Sequence, residues 1–170
     1  MTATSDEGLF RTIEPLILAA ASPRRQELLR SFGISFEVVA SNLTEDPDPA
    51  CGPHQLVERW ARQKAEAVAV TYPEAYVLGA DTIVVVDGEV FGKPSDVGDA
   101  ESMLGRLSGR SHEVITGICL TGSRGICLQT RTVTTLVRFR GLEIREIRAY
   151  VATLEPLDKA GAYGIQGLGG

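Results

Sequence analysis

The chain has 170 residues, 44% of them hydrophobic and 23% charged, with a formal net charge of −5. That length supports one domain or two small lobes with a core that needs no disulfide or structural metal, and the acidic balance argues against a broad nucleic-acid surface while leaving room for a small basic pocket for a polyanionic small molecule. Cys51, Cys119 and Cys127 form no CxxC pair, so zinc and disulfide-framework readings are weak and a reduced, cytoplasmic compartment is expected. The first fourteen residues read as a loose, polar leader without the apolar stretch of a signal peptide, and the apolar runs are strand-sized, so no membrane partner is expected.

Leu16 to Ala20 is continuously apolar and predicts a buried strand. A helix follows from Pro23 to about Phe32, with Leu28, Leu29 and Phe32 facing in and Gly33 as its stop. Phe36 to Ala40 predicts a second strand, and the acid- and proline-bearing stretch from Ser41 to Gly52 a loop. The next helix runs from about Pro53 to Thr71 with a stripe of Val57, Trp60, Ala61, Ala65 and Val68, and Lys64 falls on or beside that stripe. Tyr76 to Asp81 predicts a strand, followed by a second apolar run, Ile83 to Val86. Asp87-Gly88 is a strong two-residue hairpin signal, returning through Glu89 to Phe91. A helix from about Asp96 to Leu107 precedes two long strands, Glu113 to Leu120 and Ile126 to Phe139, joined by a Gly122–Gly125 turn. Ile144, Ile147, Tyr150 and Val151 mark a last helix ending before Pro156, and five glycines lie between Gly161 and Gly170. Strands alternating with helices predict an α/β fold, and the hairpins make its sheet mixed.

The junction from strand to first helix carries the strongest chemical signal. Ser22 suits the N-cap and Pro23 the first helical position. Arg24 and Arg25 then sit against the positive end of the helix dipole, an unfavourable placement that a bound polyphosphate would relieve. Two solvated arginines on a helix start are the plainer alternative. Asp81 ends an apolar strand, where ligands gather in open α/β sheets; it could take a proton from water or ligate a cation, or serve only as a turn residue. Lys93 is directed by Pro94 and is either a placed cation or an exposed loop lysine. Lys64 is either a core-edge lysine whose head reaches water or a cation held against the site wall. Glu45 and Asp46 are solvated loop charges, or one of them completes a Mg²⁺ site with Asp81. His112 fits a structural hydrogen-bonding role, since no nucleophilic triad can be read from the spacing. A GxxxxGK[ST] loop is absent, and no GxGxxG follows a strand.

Taken together, these cations and one aspartate describe a polyphosphate cradle beside a base or metal ligand. The chain resembles the Maf nucleotide pyrophosphatases. The resemblance rests on Leu-Ala-Ala-Ala-Ser22-Pro-Arg24-Arg25-Gln-Glu-Leu-Leu, Arg62-Gln-Lys64-Ala, Gly79-Ala-Asp81-Thr82, Gly92-Lys93-Pro94, Leu107-Ser-Gly109 with His112, and the run from Glu155 to Gly167. It implies a Maf/ITPase-like fold, a mixed twisted sheet flanked by helices, with two lobes around a central nucleotide cleft and one domain over residues 15–170. It implies hydrolysis of a nucleoside triphosphate to the monophosphate and pyrophosphate with Mg²⁺ or Mn²⁺, and often a homodimer. Asp81 matches the proton acceptor. Arg24, Thr82 and Gln166 match positions tied to base choice, in the form that acts on dTTP and UTP. Arg25, Lys64 and Lys93 are expected near the phosphates, with Ser22 beside them and Glu45 as a second metal contact to Asp81. Members of the family usually continue past the motif that ends here at Gly170, so the family's C-terminal strand and helix are expected to be lacking. A nucleotide-binding regulator of cell division without turnover, and a phosphatase releasing phosphate, are the competing functional readings.

Overall fold

The computed structural model describes residues 14–46, 48 and 50–169. The expected leader lies, Glu14 apart, outside them. Strand β1 (Leu16–Leu18) runs parallel to β2 (Glu37–Val38) on one side and to β3 (Tyr76–Val86) on the other, with Leu18 opposite Val38 and Leu78. β4 (Glu89–Phe91) returns antiparallel along Val84–Val86 of β3. β5 (Ser111–Thr121) and β6 (Cys127–Arg138) complete a six-stranded sheet in the order β2-β1-β3-β5-β6, with β4 beside β3. The sheet is mixed, as the hairpin signals require. Asp87 and Gly88 both adopt positive φ, the conformation that makes Asp-Gly a tight hairpin turn. The described residues form four helices: α1 (Pro23–Ser31), α2 (Pro53–Ala69), α3 (Val97–Leu107) and α4 (Ile144–Val151). None is long and apolar enough to cross a membrane.

The chain divides into two compact units. The first holds the described residues up to Ala50 with Glu58–Asp81 and Gly117–Thr132. Its core sets Ile17, Ala19 and Val77 of the strand region against Ala61, Ala65, Val68 and Ala69 of α2, with Cys119. The second holds Cys51–Val57, Thr82–Thr116 and the described residues from Val133. There Val84, Val86 and Phe91 pack with Ala100, Leu104 and Leu107 of α3 and Ile147 and Val151 of α4. Asp96 caps α3 by accepting the Asp99 N–H at 2.8 Å.

Three expectations need correction. Helix α1 buries none of its residues: Leu28 is 57% and Phe32 49% exposed. Ser22 occupies the N-cap position, but its side chain makes no capping bond; only its carbonyl engages the helix, accepting from Gln26 N–H at 3.3 Å. Asp81 does not end a strand. Thr82 and Ile83 are β-branched and extend the run, so β3 continues unbroken to Val86.

Candidate active site

Asp81 nevertheless lies where a strand-end residue would. Its parallel neighbour β1 stops at Leu18, opposite Leu78, with one further bond from Ala19 N–H to the Leu78 carbonyl. Beyond that point β3 is no longer paired with β1. Asp81 therefore sits just past the carboxyl end of β1, the position at which parallel sheets collect ligands. The chain that leaves β1 here turns into α1 and delivers Arg25.

Helix α2 supplies the other half of the cluster, and Gly79 is the reason it can come so close. A Cβ on Gly79 would stand 2.1 Å from the Ala61 carbonyl oxygen and 2.8 Å from the Ala65 nitrogen. Strand and helix backbones are in direct contact, with alanines on the helix side. Lys64, between those alanines, is 8% exposed, and its ammonium does not reach for water. Nζ donates to Asp81 Oδ1 and to Glu45 Oε1, each at 2.5 Å. The Arg25 guanidinium lies 4.0 Å from the same Asp81 oxygen. Glu45 is held by its loop: the neighbouring Asp46 carbonyl accepts the Trp60 indole N–H at 3.3 Å, and Arg59 donates to Asp48 Oδ2 at 2.7 Å. A depression of about 410 Å³ opens beside this loop, walled by Leu43, Thr44, Asp46, Arg59, Trp60 and Gln63.

The electrostatics of this cluster are unusual for a carboxylate with a lysine at contact. Burial raises the Asp81 pKa, and the charge and hydrogen bond of Lys64 oppose that without cancelling it. Burial also lowers Arg25, against the pull of Asp81 and Glu45 and with Arg24 repelling it; a guanidinium stays charged through such a shift. The second oxygen of Asp81, Oδ2, is buried and accepts no hydrogen bond among the described residues. It is an open acceptor for a water proton or a cation.

The structure thus brings Arg25, Lys64, Asp81 and Glu45 into one cluster, with Arg24 adjacent to Arg25. Ser22 opens the helix that carries both arginines, and that helix has no acidic residue in its first turn. Thr82, Lys93 and Gln166 belong to the second unit. Thr82 Oγ1 lies 3.1 Å from Thr116 Oγ1 on β5. Lys93 is exposed beside the buried Pro94, and Gln166 is exposed on a turn. Their segments are tied together, since the Gly161 N–H donates to the Gly92 carbonyl at 2.9 Å.

The anchors of the Gln166 loop are not visible in the sequence as anchors. Glu155 accepts from Tyr150 Oη–H at 3.0 Å and from Leu168 N–H at 3.3 Å, and Gly167, at φ +136°, runs against its carboxylate, where an added Cβ would stand 2.7 Å from Oε1. Tyr163, in the same loop, shares a 2.7 Å hydrogen bond with His112 Nε2, and both rings stack edge-on with Phe139. Glu155 and Tyr163 signal themselves in the sequence only as members of the run from Glu155 to Gly167, whereas His112 makes the structural hydrogen bond expected of it.

A divalent metal fits this donor set only as an ion that arrives with phosphate. Among the described residues no three His, Cys, Asp or Glu side chains form a metal cluster. Asp81 Oδ2 is an unbonded acceptor, and Glu45 shares the Lys64 ammonium with Asp81; Mg²⁺ commonly takes one or two protein carboxylates and completes its shell with phosphate oxygens and water.

The family of Maf-like proteins matches residues 15–170. The chain belongs to the Maf family. Among its relatives, a dTTP/UTP pyrophosphatase of Symbiobacterium thermophilum is 58% identical over 156 residues, covering 91% of this chain and 79% of that protein. A dTTP/UTP pyrophosphatase of Vibrio cholerae is 52% identical over 160 residues, covering 94% and 84%. The solved structure of the Staphylococcus aureus Ham1 protein aligns with this Maf protein at a TM-score of 0.45 and 17% identity, over 73% of this chain and 70% of that one.

Proposed function

We propose that this Maf protein hydrolyses nucleoside triphosphates, dTTP and UTP in particular, to the monophosphate and pyrophosphate. The names and close identity of its relatives support the reaction and the pyrimidine preference. The observation that carries the chemistry is the buried Asp81 carboxylate with one oxygen on Lys64 and the other unbonded.

In this reading Asp81 Oδ2 accepts a proton from a water as that water attacks the α-phosphorus. The bond from the α-phosphorus to the bridging oxygen breaks, and pyrophosphate leaves with the electron pair. Lys64 fixes the carboxylate's direction and favours its ionised form. Arg25, with Lys93, offsets charge on the triphosphate, and Arg24 and Ser22 line the helix start at which phosphate oxygens are accepted. Asp81 and Glu45 would hold a Mg²⁺ or Mn²⁺ ion, which supplies Lewis-acid stabilisation of phosphate charge when bound. Gln166 carries both a donor and an acceptor, matching the O4/N3 edge of thymine or uracil, with Thr82 and Arg24 contributing to the choice of base. A reducing, cytoplasmic setting and a second copy as partner complete the reading.

A panel of nucleoside triphosphates with Mg²⁺, scored for pyrophosphate, tests the function. Pyrophosphate from dTTP and UTP ahead of purines is expected; orthophosphate as product, or binding without turnover, rejects it. In the same panel Gln166→Glu is expected to erode the pyrimidine preference, and an unchanged profile removes Gln166 as base reader. Lys93→Ala is expected to weaken triphosphate binding more than monophosphate binding by isothermal titration. Equal losses would place Lys93 away from the β- and γ-phosphates.

A further inference from the structure

Cys119 and Cys127 play no part in the chemistry proposed above, yet their sulfurs lie 3.7 Å apart. Cys119 is on β5 and Cys127 opens β6, and the five residues between these strands permit only an antiparallel pair. Cys119 is fully buried in the core of the first unit, whereas Cys127 is half-buried at its margin. The two thiols therefore differ in access while touching each other. We propose that this pair is an oxidative modification site, at which a hydroperoxide converts the two thiols to an intramolecular disulfide.

The surroundings set the order of events. Cys127, half-buried at the margin, is the sulfur that solvent reaches, so it meets the oxidant first. Burial pushes the Cys119 thiol up to about 12, which keeps it protonated and unreactive towards solvent until its neighbour is oxidised. The Cys127 thiolate attacks the peroxide O–O bond, takes one oxygen as sulfenic acid and releases an alcohol or water. The Cys119 sulfur then forms the S–S bond, and the sulfenic hydroxyl leaves with the Cys119 proton as water. Two thiols and one hydroperoxide become a disulfide, one alcohol and one water, a balanced two-electron oxidation. An S–S bond of about 2 Å requires the sulfurs to close a gap of less than about 2 Å. Reversible pairs of this kind are the form in which disulfides occur in reducing compartments.

Trypsin cuts after Arg124, between the two cysteines, so the link can be read directly. The folded chain is treated with hydrogen peroxide, alkylated, digested and analysed by mass spectrometry. Residues 111–124 are expected joined to residues 125–131, with a loss of about two mass units against the reduced pair. Dithiothreitol should reverse the link, and the Cys51→Ser chain should form it equally well. Cys119→Ser should let Cys127 run on to sulfinic acid, because nothing intercepts the sulfenic acid. Sulfinic or sulfonic acid at Cys127 in the unsubstituted chain, without the joined peptides, would overturn the proposal. So would a link that forms no faster in the folded chain than in urea.

Discussion

Asp81→Asn keeps the chain folded and nucleotide-binding and removes nearly all turnover, a fall of about a thousandfold. Asparagine preserves shape and can still accept from the Lys64 ammonium through its carbonyl oxygen. It cannot take a proton from water at the position of Oδ2, and its amide places a donor where the carboxylate leaves an acceptor open. Single-turnover measurements beside nucleotide titration separate the two effects; full activity in this variant would remove Asp81 from the mechanism. The pH profile gives an independent reading. Burial raises the Asp81 carboxyl from its ordinary value, so the acid limb of kcat/KM, which reports the free enzyme, is shifted upward and activity rises with pH as the proton leaves. Lys64→Met should move the limb higher still, because the ammonium is the main influence opposing burial. The same shift has a sign in stability: the folded chain holds this proton more tightly than the unfolded one, so this contribution is present at low pH and lost as pH rises through the raised value. Asp81→Asn should abolish that part of the pH dependence.

Gly79→Ala is expected to lower stability by about 3 kcal/mol, a fall in Tm of roughly 10 °C for a chain of this size. The added methyl meets the Ala61 carbonyl oxygen at 2.1 Å and the Ala65 nitrogen at 2.8 Å, and both are backbone atoms that no rotamer change can move. The helix must shift away from β3 as a body. Lys64 rides on that helix, so the 2.5 Å contact with Asp81 should lengthen and turnover should fall even in the fraction that remains folded. Differential scanning calorimetry with activity per folded molecule checks both parts. An unchanged Tm would show that the strand and helix backbones are not in contact at Gly79.

Much of this arrangement is legible in the residues because its determinants are local. The stripe Val57, Trp60, Ala61, Ala65 and Val68 marks the buried face of α2, and all five are buried. The Asp87-Gly88 turn is legible because few residues other than Gly, Asn and Asp accept positive φ. The burial of Lys64 is not, because a lysine beside an apolar stripe ordinarily carries its head to solvent. Only the approach of β3, set by Gly79 from a distant part of the chain, closes that route. The exposure of α1 is not legible either: its leucines and Phe32 have the spacing of a buried face, and spacing alone does not say whether another element covers it. Asp81 reads as a strand end because it is polar, yet its environment is set by where β1 stops, a property of the neighbouring strand. Glu155 and Tyr163 give no local sign of their anchoring roles, since each acts through partners that only the folded loop brings near.

The hydrogen bond from the Gly161 N–H to the Gly92 carbonyl has a bearing on how such an enzyme can change. It couples the turn bearing Lys93 to the loop bearing Gln166. Grip on the leaving group and discrimination among nucleobases, the roles proposed for those two side chains, are therefore not independently adjustable. An insertion near residue 92 meant to accommodate a longer phosphate chain would also displace the loop that carries Gln166, the side chain proposed to read the base, and selection for a new substrate would have to re-tune both ends at once.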